Sequence, residues 1–327
     1  AIKAGFAENG DRAAPYLPAY SGAMKVLSNI EEKAAGNGAL NAIPESDGVY
    51  RRIPMFVTLS DKIYPSLVAE SLRVAQDAST FIIQAVGASG EEGFGETGLV
   101  SFKVGAVKVP TDENGQIWVR FTGDIPERYV PAWKLLDGSA PAEKLEGHIV
   151  LIGTSAAAMK DLRATPLDPA AAGVSLHAEA LETILTGNFL NRPDFAHGLE
   201  VVASFLLGLL LIWLLPKWGS IWCAVLTFAA IVGVVGGAWY AFDVYNWLLD
   251  PIYFSVVILV IYLTQSLIIF LATEAERARV RGAFGMYLSP ALVEQLASDP
   301  EQLKLGGEMK DISIMFCDVS GFTSISE

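Results

Sequence analysis

Three apolar runs follow one another with only a few residues between them, and no other feature restricts the fold as strongly. They are "LEVVASFLLGLLLIWLLP" (residues 199–216), "GSIWCAVLTFAAIVGVVGGAWYAF" (219–242) and "LLDPIYFSVVILVIYLTQSLIIFLAT" (248–273). Each approaches or exceeds the ~20 residues that a helix needs to cross the hydrocarbon of a bilayer. Burying three such helices in succession inside a soluble body would take a very large shell of other residues. Trp213, Trp218, Trp222, Trp239, Tyr240, Tyr245 and Trp247 gather near the ends of the runs, where interfacial aromatics sit. The sequence therefore predicts three transmembrane helices over residues 199–273.

The flanks set an orientation. The first connection, "PKWG", carries Lys217, and the second, "DVYNW", carries Asp243. After the third run comes "TEAERARVRG", with Arg277, Arg279 and Arg281. Positive residues stay in the cytoplasm, so Lys217 and the arginines are expected inside and Asp243 outside. Three crossings then leave residues 1–198 extracytoplasmic and residues 274–327 cytoplasmic. The interiors of the runs hold Cys223, Thr227, Thr264, Gln265 and Ser266 but no ionisable acid or base. Transporters handle ions at depth with charged side chains, so transport is disfavoured. Gly233 and Gly237 have the small-xxx-small spacing of a close helix contact, a spacing that also arises by chance.

Outside the runs the composition is ordinary. Residues 1–198 hold 17 Lys+Arg against 24 Asp+Glu, and residues 199–327 hold 6 against 12. An acidic chain lacks the clustered basic face that nucleic acid requires. Cys223 and Cys317 stand far apart, which gives neither a disulfide framework nor a cysteine metal site. The chain opens at Ala1 with neither Met nor a signal-like segment, so its natural N-terminus is expected further upstream.

The first 198 residues alternate strand-like and helix-like stretches, the pattern of a layered α/β domain. "VYRRIPMFVTL" (49–59) reads as a strand, and "PSLVAESLRVAQ" (65–76) as a helix with Pro at its first position. "QIWVRFTG" (116–123) reads as a second strand. "HIVLIGTSA" (148–156) reads as a central strand running into a Gly-Thr-Ser turn. "GVSLHAEALETILTG" (173–187) has helical spacing at Val174, Leu181, Ile184 and Leu185, with Gly187 as its stop.

"SDGVYRRIPMFV", "YPSLVAESLR", "LEGHIVLIGTSA", "LRATPLD" and "GVSLHAEALETILTGNFL" together resemble the CHASE2 family of extracellular sensor domains. The resemblance covers roughly residues 39–198 and ends directly before the three runs, as in that family. It implies an α/β sensor with an unknown outer ligand, and a first portion and preceding transmembrane helix upstream of Ala1. Turns after central strands are where α/β sheets hold ligands, which makes Gly153, Thr154, Ser155 and Asp161 candidates. The same turn also reads as a tight bend whose hydroxyls cap the next helix. Arg51 and Arg52 suit an anion or, more simply, salt bridges. His177 reads as structural. No triad, metal cluster or phosphate loop points to an outer enzyme.

Past Thr273 the chain becomes charged and helical, and Ser289-Pro290 opens a short amphipathic stretch with Leu288, Leu292 and Leu296 on one face. Residues 274–305 form a cytoplasmic junction, with either their own domain or a second copy as packing partner. Then "GGEMKDISIMFCDVSGFTSISE" places a buried strand at 312–317 with Asp318 at its end. A lone acid there is compatible with a helix cap or an ion pair. The longer phrase "RGAFGMYLSPALVEQL … LKLGGEMKDISIMFCDVSGFTSISE" is similar to the junction and first strand–turn–helix of class III nucleotide cyclases, α+β enzymes, beginning here at residues 306–327.

That resemblance implies a catalytic dimer, with two Mg²⁺ or Mn²⁺ per site and a nucleoside triphosphate, ATP favoured over GTP, as substrate. Asp318 would be the first of two metal-bridging aspartates, helped by the backbone carbonyl of Val319. Gly321, Phe322 and Thr323 would face phosphate. The second aspartate, the base-selecting pair and the transition-state Asn and Arg of the family would lie beyond Glu327. The two resemblances thus imply a receptor-type adenylate cyclase in a bacterial inner membrane, with no metal site and no catalytic residue besides Asp318 and Val319 before Glu327. The alternatives are a guanylate cyclase and a catalytically inactive cyclase-like sensor or dimerisation module.

Overall fold

Strict alternation builds the first sheet. In "TFIIQA" Phe81, Ile83 and Ala85 point inward while Ile82 faces out, the period-two pattern of a strand with one buried face. The computed structural model describes residues 2–87, 98–123, 125–154, 161–193, 195–285, 311 and 313–317. They fall into two units, Ala1–Tyr262 and Leu263–Glu327. The first begins with β1 (Gly5–Asn9), β2 (Ala19–Tyr20), α1 (Ser28–Lys33), β3 (Arg52–Pro54), β4 (Phe56–Leu59), β5 (Lys62–Pro65) and α2 (Leu67–Ala75). Then come β6 (Thr80–Ala85), β7 (Leu99–Val104), β8 (Val107–Pro110), β9 (Gln116–Trp118) and α3 (Ala132–Leu136). After β10 (Leu162–Arg163), β11 (Ala171–Ala172) and α4 (Gly173–Thr186), two long helices follow, α5 (Phe195–Tyr245) and α6 (Pro251–Gly285).

The main sheet has the order β1-β6-β7-β8, with β1 parallel to β6 and the other pairs antiparallel. Smaller sheets are β2-β4-β5, β3-β9 and β10-β11. The core gathers on Phe6, Phe56, Phe81 and Phe102, with Phe56 meeting Phe81 at 5.2 Å and Phe102 at 5.0 Å, both edge-to-face. Leu72 of α2 and Leu176, Ala180 and Ile184 of α4 close over it, the last three lying on one helical face.

Several expected elements shift. Residues 49–59 form two strands in two different sheets, broken at buried Met55. Pro65 ends β5 rather than starting a helix, and Ser66 caps α2 by accepting from Ala69 N–H at 3.2 Å. β9 keeps only the first three residues of its predicted strand. α4 ends at Gly187 in the left-handed region (φ 69), where glycine alone adopts the turn freely. Its Leu185 faces solvent, whereas His177 is buried. The apolar stretch at 148–154 is not a strand: no described residue pairs with it, and Ile152 is 89 % exposed. A short apolar run reads alike whether it enters a sheet or crosses a surface, and only a partner decides.

α5 and α6 are long and apolar enough to cross a membrane by length and composition. α5 is broken at Gly219 (φ 78, ψ 166), just after Pro216, in a conformation open to glycine and strained for other residues. The two halves fold back on each other. Leu207 and Leu211 of the first and Ala230 and Val234 of the second share one cluster with Phe254 and Ile258 of α6, and Tyr262 Oη donates to Ser220 O at 3.2 Å. Small and hydroxyl-bearing side chains turn inward, namely Ser204, Gly208, Cys223 and Thr227, while Phe205, Ile221, Trp222 and Phe228 turn out. Ser204 and Thr227 donate to the carbonyls four residues back, at 2.7 and 2.8 Å, so neither hydroxyl is left unsatisfied. Gly208 lies directly against Ile261, whereas Gly233 and Gly237 face open space, so the close contact falls at a different glycine from the one the spacing indicated.

Asp250 starts α6 by accepting from Ile252 N–H, with Pro251 at the first helical position. In the second unit α6 runs on to Gly285 without a break at Thr273, and an exposed Arg277–Glu274 pair lies along it. Residues 313–317 carry no strand, and Phe316 is 94 % exposed. A strand needs a hydrogen-bonded neighbour, and no described residue pairs with these. Asp318, Val319, Gly321, Phe322, Thr323 and the Ser289–Leu296 stretch lie outside the described residues.

Candidate functional site

Beyond Val119, whose N–H still donates to Arg51 O at 2.9 Å, the chain loses its strand partner, and α4 supplies the missing bonds. Arg120 N–H donates to Thr183 Oγ1 at 3.1 Å, and the N–H and Oγ1 of Thr122 both donate to Glu179 Oε2, at 2.9 and 3.0 Å. Glu179 is buried. Arg128 then closes the segment, bidentate to Glu182 at 2.8 Å on both oxygens and donating to Thr122 Oγ1 at 3.1 Å.

On the other side of α4's first turns, residues 165–170 form a self-bonded loop. Asp168 N–H donates to Thr165 Oγ1 at 3.0 Å, Thr165 N–H donates to Asp168 O at 2.8 Å, and Asp168 Oδ1 accepts from Ala170 N–H at 2.8 Å. Between the two segments and α4 lies a cavity of about 360 Å³, within the size range of small-molecule sites. Phe121, Tyr129, Leu167 and Leu176 make its apolar wall, and Asp168 and Glu179 bring carboxylates to it.

A second groove of about 380 Å³ lies between Gly36, Gly38, Leu67, Val74 and Ile149, with Glu70 at its floor. That carboxylate is already engaged. Arg73 holds both of its oxygens at 2.8 Å and donates also to Ala78 O, and Asn37 N–H adds 3.2 Å. The groove is more open and its charge is spent, so the α4 cavity is the better site.

The cavity abuts the route to the apolar helices. Arg120, next to Phe121, donates to Asn246 Oδ1 and lies 5.8 Å from the centre of the Phe242 ring. Asn191 N–H donates to Asn246 O at 3.0 Å, and Leu248 N–H donates to Asn191 O at 2.8 Å. Glu200 holds Arg192 at 2.9 Å and accepts from Asp250 N–H at 2.9 Å. The Phe195 ring meets Trp247 at 5.7 Å, so the far end of α5 returns to its beginning.

The CHASE2 domain family model matches residues 6–234, about two thirds of the chain, running from β1 through the α/β domain and past the Gly219 break. The chain belongs to the CHASE2 family. Comparison with curated proteins and with solved structures returns no match. CHASE2 domains are extracellular sensors, which fits a receptor with apolar helices after its sensing part. The match is wider than the 39–198 resemblance. β1, which no quoted motif touched, is an edge strand of the CHASE2 domain's main sheet.

Within the CHASE2 domain, the residues that the sequence proposed as a ligand turn do not converge on the cavity. Gly153 packs so closely on Val174 that a Cβ there would collide with it, Thr154 is exposed, and Ser155 lies outside the described residues. Asp161 sits against Gly173 at the start of α4, paired with Arg163 at 3.3 Å. Arg51 and Arg52 carry the salt bridges that were their simpler reading. Arg51 binds Asp47, whose carboxyl it holds down to about 2, and Arg52 bridges Glu45 at 2.7 Å and Asp112 at 3.0 Å.

His177 is buried, its Nδ1 has no hydrogen-bond partner, and burial lowers its pKa from the ordinary 6.5. Among the described residues no group of three or more metal-ligating side chains occurs. Sequence reasoning missed Asp168 and Glu179. The signals available were the Thr-x-x-Asp turn in "ATPLD" and an acid at the second turn of a helix otherwise turned to the core.

Proposed function

We propose that this chain is the sensing and membrane-anchoring part of a receptor-type class III nucleotide cyclase, which converts ATP to cyclic AMP and pyrophosphate under control of its outer domain. The apolar segments cross the membrane three times, at residues 199–216, 219–242 and 248–273. The sensor is outside, and residues 274–327 are inside, in a bacterial inner membrane. The reversal at Gly219, the acidic outer connection at Asp243 and the arginines after residue 273 support this topology.

The observation that carries the receptor reading is the uninterrupted CHASE2 match running from the α/β domain into α5. The cyclase reading is supported by the phrase "LKLGGEMKDISIMFCDVSGFTSISE" and its similarity to the first strand and turn of those enzymes. Asp318 and the carbonyl of Val319 are hard oxygen donors of the kind Mg²⁺ or Mn²⁺ prefers. Two such ions per site, when bound, acidify the ribose hydroxyl and neutralise the phosphates. By the same similarity Gly321 would let the backbone approach the nucleotide closely, and the amides near Phe322 and Thr323 would face phosphate. The enzyme works as a homodimer, and an outer ligand acts by its different affinity for two arrangements of the paired inner domains.

The test uses the full-length protein in membranes with ATP or GTP and Mg²⁺ or Mn²⁺, with cyclic product assayed beside Asp318→Ala. Cyclic AMP from the parent and none from a folded variant is the expected result. Product that survives Asp318→Ala overturns the assignment, and cyclic GTP in place of cyclic AMP reassigns the substrate.

A further inference from the structure

We propose that the cavity beside α4 binds a small organic cation, a protonated amine on an apolar or aromatic body. This rests on reading the outer domain as a sensor and gives that sensor's ligand a chemical class.

Three observations select this class. First, the cavity is built from both ends of the polarity scale. Phe121, Tyr129, Leu167 and Leu176 offer an apolar wall with two aromatic rings, and Asp168 and Glu179 bring two carboxylates to the same space. Second, the positions of those carboxylates are fixed by their neighbours. Glu179 is buried and held through one oxygen by the N–H and hydroxyl of Thr122, and Asp168 is held through Oδ1 by Ala170 N–H. Neither is in an ion pair with a described residue.

Third, the surrounding positive charge is spent elsewhere. Arg128 is bidentate to Glu182, Arg163 pairs with Asp161, and Lys144 Nζ donates to Glu127 O at 2.7 Å. Among the described residues the remaining positive feature is the start of α4, worth about half an elementary charge, and Asp161 already lies against it at Gly173. Two whole negative charges outweigh that half charge, so an anion is repelled and a cation attracted. A divalent metal fits poorly, because hard cations take about six oxygen ligands in a polar cage, whereas much of this wall is apolar. An ammonium group instead needs a few acceptors for its N–H bonds and gains from aromatic faces nearby.

The test measures binding rather than cyclase turnover, so its failure and the failure of the enzyme assignment are distinguishable. The whole protein in phosphatidylcholine nanodiscs is titrated with 2-phenylethylammonium. 2-Phenylethanol, 3-phenylpropionate and Mg²⁺ serve as neutral, anionic and metal comparators, and the thermal unfolding midpoint of the outer domain is read. The amine raises the midpoint saturably, and the comparators do not.

Glu179→Gln weakens the apparent affinity by about tenfold, the loss of a buried charge-assisted contact. Because that variant also disturbs Thr122, Asp168→Asn provides the second arm. It keeps the Oδ1 acceptor for Ala170 and folds normally, and it weakens the amine by about threefold. Equal stabilisation by the alcohol or the carboxylate, saturable binding of Mg²⁺ alone, an amine response unchanged in Asp168→Asn, or no saturable response to the amine overturns the proposal.

Discussion

The α/β domain and the helices after it sort their side chains by different rules. In the domain Phe56, Phe81 and Phe102 are fully buried, and a charged pair that goes inside, Glu70 with Arg73, does so with its hydrogen bonds satisfied. In α5 the large residues Phe205, Trp222 and Phe228 face outward, and the inner face mixes Leu211, Leu214 and Leu215 with Ser204, Gly208, Cys223 and Thr227. Water drives the first arrangement, because apolar area gains by leaving it. In hydrocarbon that driving force is absent, and helices associate through close approach and internally satisfied hydroxyls. The contrast shows that one chain is adapted to two solvents, and that the change comes close to residue 195.

Substitutions can break or sharpen this contrast. Phe56→Ala should cost about 3–5 kcal/mol of outer-domain stability, because it empties the meeting point of three rings. Urea unfolding of the full protein in nanodiscs measures it, and a loss under about 1 kcal/mol would mean that the aromatic cluster is not the core. Arg73→Met should cost about 3 kcal/mol by leaving the Glu70 carboxylate buried without its partner, and Glu70→Gln with Arg73→Met together should recover part of that loss.

In the apolar helices, Gly208→Leu should destabilise packing by about 1–3 kcal/mol through its clash with Ile261, while Gly233→Leu, facing open space, should be nearly silent. Steric-trap unfolding of the two variants in lipid compares them directly. The smallest effect concerns His177. Its folded pKa is depressed, so as the pH falls below about 6.5 the unfolded chain takes up the proton first. The stability contribution is complete above that pH and declines below it. His177→Leu should flatten this part of the pH–stability curve, and an unchanged slope would remove His177 from the account.

Local signals carried a good part of the fold. The helical spacing with Gly187 as its stop delivered α4, and the gap at "PKWG" falls where Gly219 breaks α5. These features are encoded within a few residues. What failed depends on partners distant in sequence. The 148–154 run has strand composition but no strand to pair with, and β1 was invisible until Thr80–Ala85 paired with it. The turn proposed for a ligand at Gly153, Thr154, Ser155 and Asp161 follows from that strand reading, and the described ones, Gly153, Thr154 and Asp161, do not line the cavity. Asp168 and Glu179 share that cavity because the 119–123 segment borrows hydrogen bonds from a helix, a substitution that no periodicity announces.

The reciprocal bonds between Asn191 and the 246–248 turn have a mechanical meaning. A domain joined to a helix by one peptide link can swivel about that link, and rotation above it need not pass below. Here Asn191 at the exit of the domain is bonded to Asn246 and Leu248 in the turn that leads into α6, Arg120 beside the cavity wall reaches the same Asn246, and Arg192 pairs with Glu200 near the start of α5. A rotation of the domain would therefore have to strain these bonds, and so would load the helix ends with torque as well as displacement.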